Sequence, residues 1–441
     1  MSHDVLGTLD LTGVTIETVA NPGSRANLGL NTAHYTKITG PLFPALPSVA
    51  DIKQQSLADC YLLASVIAIL ARDNGPETVE GMMRDRGTDV VVRLFDKKGT
   101  PRYVAIERSI RKNSEKHNGG AIWASLLEKA YAAAAFVEEG KKFSEGGQAA
   151  KPGAGVVTGW AKLSFGSSTA ALQVLLGTEG KNTQIDGGLI SGAGNDGPQF
   201  RYLFSVEKDT KIHESVRANL RDKIFNGDGH LLDRFLLWRT VHVEKSWRTL
   251  LDAHGDVASG GPPSNKDTPL PRKAMRLDDI ADFFAKHGLA ADVAAPIMSF
   301  AEAKQLVPGK RGSGIYSTSQ LNLYARIARA LKENKPVTLA TMASVGTAIS
   351  AKGKSGGESI VKGLAGTHAY AVISIREDTA SPQRKWVRVR NPWGEVGRRY
   401  DPSPKGGNAL NAVATTDGEF DLELSDVTKR FDKIHVAGVA L

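Results

Sequence analysis

The run YLLASVIAILA, residues 61–71, is apolar on nearly every side of a helix. It is far shorter than the roughly 18 apolar residues that cross a bilayer, so it forms a buried helix that other elements must cover. Asp59 stands at the N-cap position and Cys60 falls in the first turn. There, backbone N–H groups and the helix dipole favour a negative sulfur. Cys60 is the single cysteine, which rules out an internal disulfide and a cysteine-based zinc site. Stability has to come from packing.

With 41% hydrophobic and 23% charged residues, 441 residues can bury one large core or two to three smaller ones. The first residues have neither a basic start nor an unbroken apolar stretch, and no later stretch is long enough for a membrane span. The expectation is a soluble protein, cytoplasmic or exported without a standard signal peptide. The net charge of +9 is spread along the chain with no block of five basic residues, so no nucleic-acid partner is expected.

Residues 1–40 are polar and run into the proline-studded GPLFPALPSV, which reads as an extension and linker. A helix is expected over residues 121–140, closed by Gly140, with further helices between 211 and 254, over 276–288 and from Ser299. Ser317 and Gln320 signal the start of LNLYARIARALKENK, which Pro336 halts. Beyond Pro336 the apolar period shortens towards two in VTLATMA, HAYAVISI, KWVRVRN and GEFDLEL, predicting a mainly antiparallel sheet. The fold class is α+β.

His368 opens one of these strands and Asn391 closes the next. A hairpin turn centred between residues 379 and 380 sets the two directly opposite one another, close enough for an amide oxygen to fix the imidazole tautomer. Asn391 shares parity with Val387 and Val389 and so faces inward. Gln54, on the approach to the Cys60 helix, supplies a side-chain N–H beside the Cys60 backbone N–H, as an oxyanion site requires.

These segments resemble the calpain catalytic core. DIKQQSLADCYLLAS is similar to the calpain cysteine segment and WASLLEKAYA to the helix that follows it. GTHAYAV and VRVRNPWGEV are similar to the calpain histidine and asparagine motifs. The resemblance implies a papain-like core of two subdomains, a helical one with the cysteine helix and an antiparallel β one with His and Asn. It implies a cysteine endopeptidase in which Cys60 is nucleophile, His368 acid and base, Asn391 its orienter and Gln54 the oxyanion donor. Trp393 would shield the His/Asn contact at the substrate cleft. Proteins would be the substrates, and no cofactor is required for the chemistry. For calcium, the resemblance implies Asp51, Asp417 and Glu419 as ligands, with one site short of a carboxylate because Gly397 and Arg398 follow GEV. Calcium is thus an open question.

The sequence departs from the calpain pattern at Gln55, Ala58, Tyr61 and Thr367, the last in place of the glycine before the histidine. Some three hundred residues separate Cys60 from His368, about twice the calpain interval. This implies protease subdomains at 41–177 and 313–441 around a helix-rich insertion at 178–312, which would bind a partner, gate the cleft or decorate the surface. Two rival readings stay open: a Cys/His acyltransferase or deamidase, and a non-catalytic binding protein working through the insertion.

Overall fold

A computed structural model describes residues 4–22, 35–54, 57–111, 121–137, 159–163, 166–185, 312–316, 318–341, 360–361, 364–394 and 418–441. The helices expected between 211 and 302, nearly all of the proposed insertion, Ser317, Gly140 and Asp417 lie outside the described residues.

The central helix forms as expected. Helix α1 (Cys60–Leu70) has all eleven of its residues buried. It is covered by α2 (Gly75–Glu80) and α4 (Ser168–Leu176) on one side, and by β8 (Val337–Thr341) and β11 (Ala369–Glu377) on another. Each buried Leu, Ile or Val here contributes about 1.5–3 kcal/mol of transfer free energy, so this helix anchors the first core. Helix α3 (Ile122–Ala133) ends seven residues before the glycine expected to stop it, because Ala134 turns extended and leaves the helical path.

The half of the chain that carries Cys60 is not helical alone. Strands β4 (Asp89–Phe95) and β5 (Pro101–Glu107) form an antiparallel hairpin around DKKGT, where Gly99 takes the turn's positive φ. Strand β3 (Met83–Asp85) adds to β4, and β1 (Ile16–Thr18) runs parallel to β5. Strand β2 (Tyr35–Lys37) pairs with β6 (Ser109–Arg111). The residues read as a polar extension therefore supply two short strands. Buried Lys129 of α3 donates to Glu107 O and Ser109 O, both at 2.8 Å, and lies over the Tyr35 ring. Strands β5, β6 and β2 thereby meet at one ammonium, whose pKa burial lowers to about 8.

The second half is the antiparallel sheet expected from the alternating strands, in the order β13 (Glu419–Glu423), β12 (Lys385–Arg390), β11, β8, β14 (Phe431–Val436), β7 (Lys181–Gln184). Helices α5 (Thr318–Lys332) and α6 (Leu424–Arg430) pack on it over a second core that includes Ile327, Leu339, Val372, Val387 and Phe431. Gln320, expected as a cap residue, donates to Thr428 Oγ1 of α6 at 3.0 Å. The two halves interlock, since β7 comes from the first and closes the sheet of the second. Past the end of α1, Arg72 donates to the carbonyls of Val372 and Ile373 on β11. Helix and strand thus run side by side, with Cys60 towards the end of β11 that His368 precedes.

Candidate active site

Three chain segments meet at the site. Gln54 N donates to Pro392 O at 2.7 Å, stitching the approach to α1 onto the turn after β12. That turn, Asn-Pro-Trp-Gly, closes with Gly394 N on Asn391 O at 3.0 Å, and Asn391 N bonds Gly418 O at the start of β13. Gly394 has φ 72°, and a Cβ there would sit 2.6 Å from Lys53 Cγ and 3.2 Å from Ile52 O. Only glycine lets the two segments come this close.

His368 and Asn391 are brought together. His368 Nε2 lies 2.9 Å from Asn391 Oδ1, which also accepts from Trp393 N at 3.1 Å. The Trp393 ring lies 4.8 Å from the imidazole, tilted by 46°, and Tyr370 meets the imidazole edge-on at 5.0 Å. The contact is buried, with His368 1% and Asn391 3% exposed, so neither water nor salt weakens it.

The way they meet differs from expectation. Ala371 pairs with Arg390 and Val372 with Val389, two residues out from the register that would oppose His368 to Asn391. The turn centres on residue 381, which moves the register by three, and a bulge between Val372 and Ser374 takes one residue back. Because side chains alternate with a period of two, a slip of two keeps Asn391 on the inward face. The contact becomes diagonal, within reach of a ring and an amide.

The backbone at His368 is held from β8. Thr341 Oγ1 donates to Ala365 O at 2.6 Å and accepts from His368 N at 3.0 Å, while Thr341 N donates to His368 O at 2.9 Å. Tyr370 O–H accepts from Ala365 N at 2.9 Å. No local motif marks Thr341, which matters only because the sheet order sets β8 beside β11. These bonds fix the turn at Thr367, an exposed β-branched residue at φ 53°. Left-handed backbone costs such a residue about 1–2 kcal/mol. Thr367→Gly is expected to raise stability by about 1 kcal/mol, after the extra entropy of unfolded glycine. A melting temperature at or below that of the wild type would sink the strain argument.

Gln54 is buried, and its Nε2 donates to Leu57 O at 2.5 Å. One of its two amide N–H bonds is thus spent within its own loop. Asp51 Oδ2 accepts from Ser48 N at 2.9 Å and from Trp123 Nε1 at 3.2 Å. Glu419 faces buried Arg390 at 3.5 Å. Among the described residues no group of three His, Cys, Asp or Glu is arranged to hold a metal.

The sequence marks Asp59 as a simple helix cap. It holds the N-cap position, but its side chain makes no capping bond and is 1% exposed, beside Glu128 of α3. Glu128 was not singled out from the sequence, although it stands within WASLLEKAYA.

Comparison with known proteins finds similarity to calpains. A family model described as calpain family cysteine protease matches residues 299–438, which take in His368, Asn391 and Trp393 and begin after Cys60. Calpain-8 of Mus musculus is 32% identical over 132 residues, 27% of this chain and 17% of that protein. Calpain-9 of Rattus norvegicus and of Mus musculus are each 35% identical over 88 residues, 18% of this chain and 13% of theirs. The chain therefore spans less than a fifth of the length of these relatives. Among the described residues no helix is long and apolar enough to cross a membrane. Residues 299–438, with their buried histidine–asparagine pair, are thus similar to the calpain family of cysteine proteases, and the cysteine at the head of the central helix lies outside that match.

Proposed function

We propose that the chain hydrolyses peptide bonds in protein substrates through Cys60, His368 and Asn391. The observation that carries this reading is the 2.9 Å bond from His368 Nε2 to Asn391 Oδ1 under Trp393. It commits one ring nitrogen to orientation and leaves Nδ1 to exchange a proton with the thiol.

In the reaction, His368 Nδ1 takes the Cys60 proton and the thiolate attacks the scissile carbonyl carbon, forming a C–S bond. The carbonyl π pair moves to oxygen, and the second amide N–H of Gln54 with the backbone N–H of Cys60 stabilises that oxyanion. Collapse expels the amine, which takes the proton from His368, and leaves a thioester. Water then gives a proton to His368 and its oxygen attacks the thioester carbon. Breaking of the C–S bond releases the acid and returns the thiol. Asn391 holds the imidazole plane throughout, and Trp393 keeps water from that contact.

The test is cleavage of an unstructured protein by wild type and Cys60→Ala, each with and without added calcium. Peptide products that vanish in the variant are expected. Their absence from the wild type under both conditions, or a mass gain without cleavage as in deamidation, would overturn the endopeptidase reading. Loss of cleavage on calcium removal would make the activity calcium-dependent.

A further inference from the structure

The register that brings His368 to Asn391 depends on one bulge, and that bulge is gripped from outside its sheet. Strand β11 pairs with β12 from Glu377–Lys385 to Ser374–Arg388, and then again at Val372–Val389 and Ala371–Arg390, so Ile373 has no residue of β12 opposite it. This extra residue decides which face the amide takes. Continued past Arg390, the observed register sets Asn391 opposite Tyr370, on the face that His368 shares two residues earlier. Without the bulge Asn391 would stand opposite Ala371, and its amide would point to the other face of the sheet. The imidazole would then lose the oxygen that lies 2.9 Å from Nε2.

A bulge breaks the ladder locally, and on its other side β11 pairs with β8 only over Ala369–Ala371. Strand β8 begins just after Pro336, which has no backbone N–H to give. Arg72, two residues past the end of α1, reaches this place instead. Its Nη2 donates to Val372 O at 3.4 Å and to Ile373 O. Those acceptors are the carbonyls of the bulge itself, and one guanidinium nitrogen carries the two N–H bonds needed to serve both. The backbone of Arg72 is fixed in turn by its own N–H on Ile69 O at 3.0 Å. At the head of the same helix stands Cys60.

We propose that Arg72 is a positioning residue for the acid–base pair: by holding the carbonyls of Val372 and Ile373 it keeps the one-residue bulge in β11, and so keeps Asn391 on the face of His368. Helix α1 then carries the nucleophile at its head and, just past its tail, the group that sets the register of the strands bearing the base and its orienter. The grip on the bulge rests on sheet geometry alone, and its effect on rate rests on the peptidase reading above.

Arg72→Met keeps most of the stem and removes every donor. Its rate of peptide hydrolysis is expected to fall by up to about 10²-fold, as for a misplaced catalytic group, with kcat and not KM carrying the loss. If Arg72 acts through the Asn391 amide, Arg72→Met/Asn391→Ala is no slower than Asn391→Ala alone. Rate losses that multiply, or an Arg72→Met rate equal to that of the wild type, would overturn the proposal, because a helix–strand tie without bearing on register gives either result. Arg72→Lys, which keeps a charged donor near the same carbonyls, takes the place of Arg72→Met in this cycle if the latter does not fold, with a smaller loss expected. A second readout needs no catalysis. In the Cys60→Ala background, the Nε2 proton of His368 held by Asn391 gives an imidazole N–H resonance that His368→Ala removes. Adding Arg72→Met should abolish or shift it, and an unchanged resonance overturns the proposal. A wild type that cuts no substrate, together with a resonance lost in Arg72→Met, would strike the proposed function and leave the role of Arg72 in the register standing.

Discussion

His368→Ala is expected to lower the rate of peptide hydrolysis by about 10²–10⁴-fold, the usual share of a positioned acid–base group, and to abolish epoxide labelling of Cys60 near neutral pH. Asn391→Ala should cost less. In that variant the imidazole loses the acceptor 2.9 Å from Nε2, but Trp393 and Tyr370 still bracket the ring at 4.8 and 5.0 Å. The order of the two effects is itself informative. Equal losses would mean that the tautomer fixed by Asn391 is indispensable, whereas an Asn391 variant at wild-type rate would remove it from the site. Steady-state rates on an unstructured substrate measure both, with melting curves to establish that each variant folds.

The second large effect concerns acid. His435 lies on β14 between β7 and β8, its Nδ1 2.6 Å from Thr169 Oγ1. Burial, and secondarily Lys433, lower its pKa to about 4 from an ordinary value of 6.5. Between those values the unfolded chain binds the proton more tightly than the folded one. Stability contributed by neutral His435 is thus complete above about pH 6.5 and is lost as pH falls to about 4, by roughly 3 kcal/mol. His435→Gln should flatten the fall of the melting temperature over that range. An identical pH slope in wild type and variant would assign acid lability to other groups. Strand β14 pairs with β8, which holds the His368 backbone through Thr341. Acid should therefore cost activity through the sheet as well as through the chemistry.

Much of this arrangement can be read in the sequence because it rests on short-range periodicity. The all-apolar helix, the strands after Pro336 and the inward face of Asn391 need only the periods of helix and strand. The register of the β11–β12 hairpin could not be read that way, because the turn centres further along the chain than its sequence marks and the bulge after Val372 then takes one residue back. The His368–Asn391 contact survived since the error was an even number of residues. Strands β1 and β2 were illegible for a different reason: at three residues each they show no alternation, and they exist through pairing with β5 and β6. The hairpin DVVVRLF and PRYVAIE was legible in principle, and the half-chain around Cys60 is less helical than the resemblance implied. Asp59 could be placed at the helix start from sequence. Its neighbour Glu128 is some seventy residues away, and only the tertiary fold joins them.

The interlocked sheet also sets a timetable. Strand β14, near the end of this sequence, is an interior strand between β8 and β7, not an edge. The sheet that carries His368 therefore stays open until residues 431–436 have been synthesised, although Cys60 emerged long before. At about 5–20 residues per second, a growing chain would carry its thiol without the imidazole and without a closed sheet for tens of seconds. Strand order alone thus delays the assembled site until nearly all of this sequence has been made.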